Sequence, residues 1–208
     1  MNYCGMYNWT NDLPEGTMKT FHKALDHVKL NQKDKRIRIL EVGVFAGTSL
    51  VSMLKYIPNS VAVALDNWFL SEHELERCNN VMSMDEKYTN EKVKEEYINN
   101  LIKEGVDRRV VTLENDSTRA LRHLLRYGYK KFDFIYVDGS HETIDTMADL
   151  VIAWELLESN GVFVIDDYGW IGYTDTQKPR LAIDIFLDKY SEEYTILDIG
   201  YRVFLIKK

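Results

Sequence analysis

With 208 residues, the chain is long enough for one domain with a substantial core, or for one domain carrying an insertion. Its 33 acidic residues against 26 basic ones leave a net charge of −7. That balance disfavours nucleic acid and anionic membrane surfaces, because phosphate binding runs on an excess of Lys and Arg. Cys4 and Cys78 have no metal-ligand spacing, and no apolar run approaches the roughly 20 residues that span a bilayer. The expectation is a soluble, cytoplasmic protein acting on a small or neutral substrate, with no nucleic-acid or membrane partner.

Residues 1–16 show neither the helical nor the strand period and read as an arm. Thr17 can cap a helix whose apolar positions Met18, Phe21, Leu25 and Val28 follow three-and-four spacing, before a polar run at 31–36. Arm and helix, residues 1–36, flank the main domain. The helix is expected to cover a sheet edge or a partner subunit of a homo-oligomer. From residue 37 to 208 the pattern is that of one α/β domain. A strand over Ile37–Val42 leads into a turn with Gly43 and Gly47, then a helix from about Thr48 that Pro58 stops.

The second strand, at 60–65, is apolar throughout, as parallel strands buried on both faces are. It ends at Asp66, roughly twenty residues past the glycine turn, where nucleotide-binding folds place a carboxylate for ribose hydroxyls. Residues from about 67 to 105 are too many for a simple crossover and read as a helical lid insertion. Ser71 and Glu74 there form a capping box. Val93, Tyr97 and Leu101 form the stripe of a second helix, which Gly105 closes. The third strand, at 109–113, runs into Asn115-Asp116-Ser117 and a helix ended near Gly128.

The stretch at 131–170 dominates the chain. A buried strand over Phe132–Val137 ends in Asp138-Gly-Ser-His141, an amphipathic helix follows, and a second buried strand at 161–165 ends in Asp166-Asp167. If these strands are parallel neighbours, three carboxylates and one imidazole emerge at the carboxyl edge of the sheet, where open α/β sheets place their ligands. An aromatic and glycine-rich loop at 168–177 follows, then a helix from about Pro179. Strands at 194–197 and 203–206, joined through Gly200, read as an antiparallel tail on a parallel sheet.

Two motifs carry chemistry. The turn Glu41-Val-Gly43-Val-Phe-Ala-Gly47 lacks the second and third glycines of G-x-G-x-x-G, because Phe45 and Thr48 stand there, which disfavours a hydride-transfer cofactor. It fits E/D-x-G-x-x-x-G. With Asp66, Asp116-Ser117 and the terminal hairpin it resembles the class I S-adenosylmethionine-dependent methyltransferases over roughly residues 37–207. The resemblance implies a doubly wound, Rossmann-like seven-stranded sheet, mostly parallel with an antiparallel terminal strand and helices on both faces. It also implies S-adenosylmethionine contacts at Glu41, Gly43, Gly47, Asp66, Asp116 and Ser117. Trp68, two residues after Asp66, has two readings, a ring beside the adenine and a core tryptophan.

The clusters Asp138-Gly-Ser-His141 and Asp166-Asp167 resemble those of the metal-dependent sugar O-methyltransferases, the macrocin- and mycinamicin-type group with the cephalosporin-hydroxylase-like proteins. That resemblance implies magnesium held by Asp138, Asp166 and Asp167. Clustered carboxylates repel one another and either raise their pKa values or bind a cation, and hard oxygens select Mg²⁺ or another hard divalent cation over zinc. His141, three residues beyond a ligand, is placed to take the hydroxyl proton, with Asp138 as its catalytic companion; the plainer role for His141 is a cap of the following helix.

Trp170 and Tyr173 would wall a sugar face or serve as lid or dimer contacts, while Asp145 and Asp149 read as solvated. The expected acceptor is a hydroxyl of a sugar, a deoxyhexose such as rhamnose in a glycan or glycoside. A catechol-type small-phenol O-methyltransferase and a non-catalytic S-adenosylmethionine-binding module are the alternatives. His141 and Asp167 count against the catechol type, which uses a lysine and an Asp-Asn pair.

Overall fold

The structure, a computed structural model, describes residues 15–31, 35–70, 72, 75, 76, 89–128, 131–171 and 174–208. Strands β1 (Ile37–Val42), β2 (Ser60–Asp66), β3 (Val110–Glu114), β4 (Phe132–Val137), β5 (Leu157–Ile165), β6 (Tyr194–Ile199) and β7 (Val203–Lys207) form one sheet in the order β3-β2-β1-β4-β5-β7-β6. The first five run parallel, and β7 lies antiparallel between β5 and β6. This is the expected Rossmann-like sheet with its reversed tail. The sheet carries helices α1 (Glu15–Asn31), α2 (Thr48–Tyr56), α3 (Asn90–Lys103), α4 (Ser117–Arg126), α5 (Thr143–Leu156) and α6 (Pro179–Lys189).

The strands are apolar on both faces because both faces are covered. Alternation along each strand sorts their side chains into two cores. Ile37, Ile39, Phe134, Tyr136, Val162 and Val164 face Phe21 of α1, Leu50 of α2 and Tyr97 of α3. Leu40, Val42, Ile135, Val137, Phe163 and Ile165 face Leu121 of α4, Trp154 of α5 and Phe186 of α6. Helix α1 therefore lies on the face of the sheet over β4 and β5, not at an edge. Its stripe is wide enough for that position: Phe21, Ala24, Leu25 and Val28 are all buried, and Phe21 meets Tyr136 and Phe204 edge-on at 5.7 and 4.9 Å.

Strand β5 starts at Leu157, four residues before the expected Gly161, because α5 runs straight into it. Leu157 pairs with Phe132 while Val162 pairs with Phe134, and the register shift absorbs the extra residues. In the insertion, α3 is part of the core: Val93 and Tyr97 are buried. Ser71, Glu74, the side chains of Thr17 and Met18, both cysteines and Tyr173 lie outside the described residues.

Candidate functional site

The site is a product of strand register. Val42 pairs with both Leu65 and Val137, and Val137 with Ile165, so the four residues share one rung. The ladder runs one residue further. Gly43 N–H donates to Leu65 O at 2.8 Å, Asp138 N–H to Val42 O at 2.8 Å and Asp166 N–H to Val137 O at 3.0 Å. Asp66, Asp138 and Asp166 thus leave β2, β4 and β5 together at the carboxyl edge, with β1 and its glycine turn between the first two. By strand alternation they continue the face of Ala64, Tyr136 and Val164.

In a regular strand Asp167 would point to the opposite face. Its φ of 59° breaks the alternation, and its N–H donates to the Asp166 Oδ1 at 2.7 Å. Asp tolerates this left-handed conformation better than most residues. The outcome is a trio, Asp138, Asp166 and Asp167, each offering an oxygen within 4.8 Å of the others.

Burial, and then repulsion from Asp166 and Asp167, pushes the Asp138 carboxyl well above the usual range. Asp166 is raised by burial too, against the lowering charge of Arg202. For Asp167 burial also acts upward, but the His141 hydrogen bond and charge, with Tyr201 and Arg202, outweigh it and hold the group below its ordinary value.

Protein donors surround this trio. The Tyr136 hydroxyl, from β4, donates to Asp138 Oδ2 at 3.1 Å and also bonds Asp166 Oδ2. Arg202 Nε–H donates to Asp166 Oδ2 at 2.8 Å, and the Tyr201 hydroxyl to Asp167 Oδ1 at 2.9 Å. His141 Nε2 lies 3.0 Å from Asp167 Oδ2, and its ring packs on Trp170 with centroids 4.4 Å apart. His141 stands just before α5 and contacts Asp167 of the acidic pair, while Glu142 is the residue at the cap position of that helix. Sequence reasoning missed Tyr136, Tyr201 and Arg202. Tyr136 was findable, since residues two apart in a strand share a face with Asp138. Tyr201 and Arg202 were not, because only the antiparallel pairing of Ile165 with Val203 brings the β6–β7 turn to this edge.

The other half of the rim is the glycine turn. Gly43 has φ 80°, and a Cβ there would sit 1.8 Å from the Asp138 carbonyl oxygen, so the β1 turn and the Asp138 loop pack backbone to backbone. Asp66 fastens the turn from beside it: Oδ2 accepts the Val44 and Phe45 N–H groups, each at 2.8 Å, and Oδ1 accepts Trp68 N–H at 2.7 Å. Trp68 is 4% exposed, its indole N–H donates to Phe45 O at 3.0 Å, and its ring packs on Tyr97. It lies in the core beneath the turn.

Glu41 is fully buried and accepts the Ser49 hydroxyl on Oε1, while Oε2 has no hydrogen-bond partner. Burial raises its pKa well above normal despite the Ser49 bond, and the charges of Asp66 and Asp166 add to the rise. Glu41 therefore feels both halves of the rim. Asp116 caps α4 through Arg119 N–H at 3.1 Å, with Ser117 as the first helical residue.

The reading of Asp149 as solvated is corrected. Asp149 is 1% exposed, its carboxylate has only a loose contact with the Ser117 hydroxyl in place of a well-formed hydrogen bond, and Oδ2 would lie 3.2 Å from a Cβ at Gly139. It sits beneath the Asp138 loop because α5 packs its 146, 149 and 153 face inward. Asp145, on the outer side, is exposed and accepts the Ser140 hydroxyl at 3.0 Å.

Sheet order, reversed β7, glycine turn and acids ending successive parallel strands together define the Rossmann-like fold of class I methyltransferases. A family model described as a methyltransferase domain matches residues 40–168, more than half of the chain, and the chain belongs to that family. Among solved structures, the O-methyltransferase TomG of Streptomyces achromogenes, involved in tomaymycin synthesis and solved with SAM, superposes with a TM-score of 0.61 at 18% identity over 89% of this chain and 80% of its own.

The O-methyltransferase of Bacillus cereus in complex with SAH gives 0.58 at 17% identity, over 95% and 84%. The MycE methyltransferase of the mycinamycin biosynthetic pathway, solved with Mg and SAH, gives 0.57 at 18% over 94% of this chain but 51% of its own. At such identities the likeness is one of fold. A comparison with curated protein sequences gave no match.

Proposed function

We propose that the protein is an S-adenosylmethionine- and Mg²⁺-dependent O-methyltransferase whose acceptor is a sugar hydroxyl, that of a deoxyhexose such as rhamnose in a glycan or glycoside. The observation that carries this reading is the trio of carboxylates with oxygens within 4.8 Å, one of which also holds His141. The donor set fits a hard divalent cation, since all three ligands are carboxylate oxygens and the raised Asp138 and Asp166 carry a repulsion that a cation relieves. The donor side fits S-adenosylmethionine through Glu41, whose buried Oε2 is an open acceptor for an ammonium group, and through Gly43 and Gly47, each at φ 80°. Fold neighbours solved with SAM, with SAH and with Mg and SAH lie in the same direction.

When bound, the two groups supply a sulfonium methyl and charge stabilisation at the acceptor oxygen. The chain's residues do the rest. Asp138, Asp166 and Asp167 would hold the cation, and Asp66, Asp116 and Ser117 would border the nucleoside. Asp167 accepts the Nε2 proton of His141, which leaves Nδ1 with a lone pair to take the hydroxyl proton as the new carbon–oxygen bond forms. The imidazolium so produced faces a carboxylate held below its ordinary pKa, which stabilises it. Trp170 fixes the ring plane.

A second reading, a small-phenol acceptor, is favoured by the rim itself. Ile144 and Ile171, close in sequence to His141 and Trp170, are 79% and 87% exposed, an apolar surface suited to a flat ring. A panel of deoxyhexosides and catechols assayed with S-adenosylmethionine decides between them. Methyl transfer to a glycoside hydroxyl, abolished by EDTA and restored by MgCl₂, is the expected result. Transfer to catechols alone selects the second reading, activity indifferent to EDTA removes the metal role, and absence of calorimetric binding of S-adenosylmethionine and S-adenosylhomocysteine ends the scheme.

A further inference from the structure

The acidic trio already has a cation. Arg202, last residue of the β6–β7 turn and immediately before β7, places Nε 2.8 Å from Asp166 Oδ2, with side-chain exposures of 16% and 4%. The guanidinium is held in place: it lies 5.6 Å over the Phe21 ring and 5.6 Å over the Tyr201 ring. Its Nε–H also reaches the Tyr136 hydroxyl at 3.4 Å, the group that bonds both Asp138 and Asp166. Its neighbour Tyr201 donates to Asp167. One turn, with one tyrosine of β4 and His141, thus gives every carboxylate of the trio a donor drawn from the chain.

That arrangement has a consequence for a divalent ion. A guanidinium stays charged at all accessible pH values. A positive charge within a few ångströms of an ion site in a partly buried region repels a second cation strongly, while its removal would leave Asp166 buried without a counter-charge. Resting on the metal reading above, we infer that Arg202 is a resident counter-ion of the site: it keeps the acidic trio folded without metal and lowers the site's affinity for Mg²⁺ by competing for Asp166. The cation then binds weakly enough to exchange, and the apo enzyme stays assembled.

The test is titration calorimetry of the purified protein and of R202Q with MgCl₂ and MnCl₂ alone, together with thermal melting in EDTA and in saturating MgCl₂. R202Q is expected to bind the ions about tenfold or more tightly than the unaltered protein. It should melt lower in EDTA and recover a larger part of its stability on adding MgCl₂, as linkage requires for an ion that binds the folded state more strongly. R202K, which keeps the charge, should stay within about threefold of the unaltered protein in ion affinity.

An arginine of purely structural worth would lower the melting point of R202Q equally in both buffers. Ion binding by R202Q equal to or weaker than that of the unaltered protein overturns the role of Arg202 and leaves the metal site standing. No ion binding by either protein overturns the metal site, and with it this role. Should R202Q not fold in EDTA, folding restored by MgCl₂ supports the assignment, and failure in both buffers overturns it.

Discussion

In the proposed reaction, His141 is the residue on which the chemistry turns. Its Nε2 is 3.0 Å from Asp167 and its ring lies against Trp170, so both tautomer and ring plane are set by neighbours rather than by solvent. If its Nδ1 takes the acceptor proton, H141A should lower the methyl-transfer rate by roughly two to four orders of magnitude with little change in S-adenosylmethionine affinity. Single-turnover kinetics beside calorimetry separate the two quantities, and an unchanged rate removes the assignment. The motif Asp138-Gly-Ser-His141 was legible because residue types and spacing carry it. The partner of His141 was not. Nothing local says that Asp167 rather than Asp138 holds the imidazole, since that depends on a left-handed residue at the end of β5.

At the scale of elements, α1 and the β6–β7 hairpin matter most for the acidic trio. Phe21 of α1 is 1% exposed, packs edge-on against Tyr136 and Phe204, and supports the Arg202 guanidinium. Removing its ring opens a cavity under β4 and β7, so F21A is expected to cost about 3–5 kcal/mol in urea unfolding. The period of α1 announced an apolar stripe but not which part of the sheet would receive it. Three-and-four spacing fixes a helix face, whereas its docking surface is set by shape and by what other helices leave uncovered. The glycine turn was readable for the opposite reason, because a backbone approach as close as that of Gly43 to Asp138 tolerates no side chain and so leaves a mark in the sequence.

The stability of the whole molecule carries the imprint of its buried acids. Asp149 is enclosed, and burial, only partly offset by Ser117 and increased by Asp145 and Asp116, raises its pKa to about 7. A folded-state pKa above the unfolded one means that the folded chain holds the proton more tightly. The associated stability is present below about pH 4 and is lost as pH rises through about 7. D149N, which cannot ionise, should therefore gain on the unaltered protein across that interval, by an amount on the order of 4 kcal/mol. Urea midpoints of both proteins from pH 4 to pH 8 measure it, and parallel curves would refute it.

By itself the sequence determined the alternation of strands and helices and the residues its turns display, because period, glycine placement and strand-end acids are local properties, and the resemblance those residues carry implied the seven-stranded doubly wound sheet. Only the tertiary structure decided which of those acids stand together. Register put Asp138 and Asp166 on one rung, the antiparallel return of β7 brought Tyr201 and Arg202 to them, and packing of α5 enclosed Asp149. Each of these depends on pairing between segments distant in the chain, and no window of sequence contains both partners.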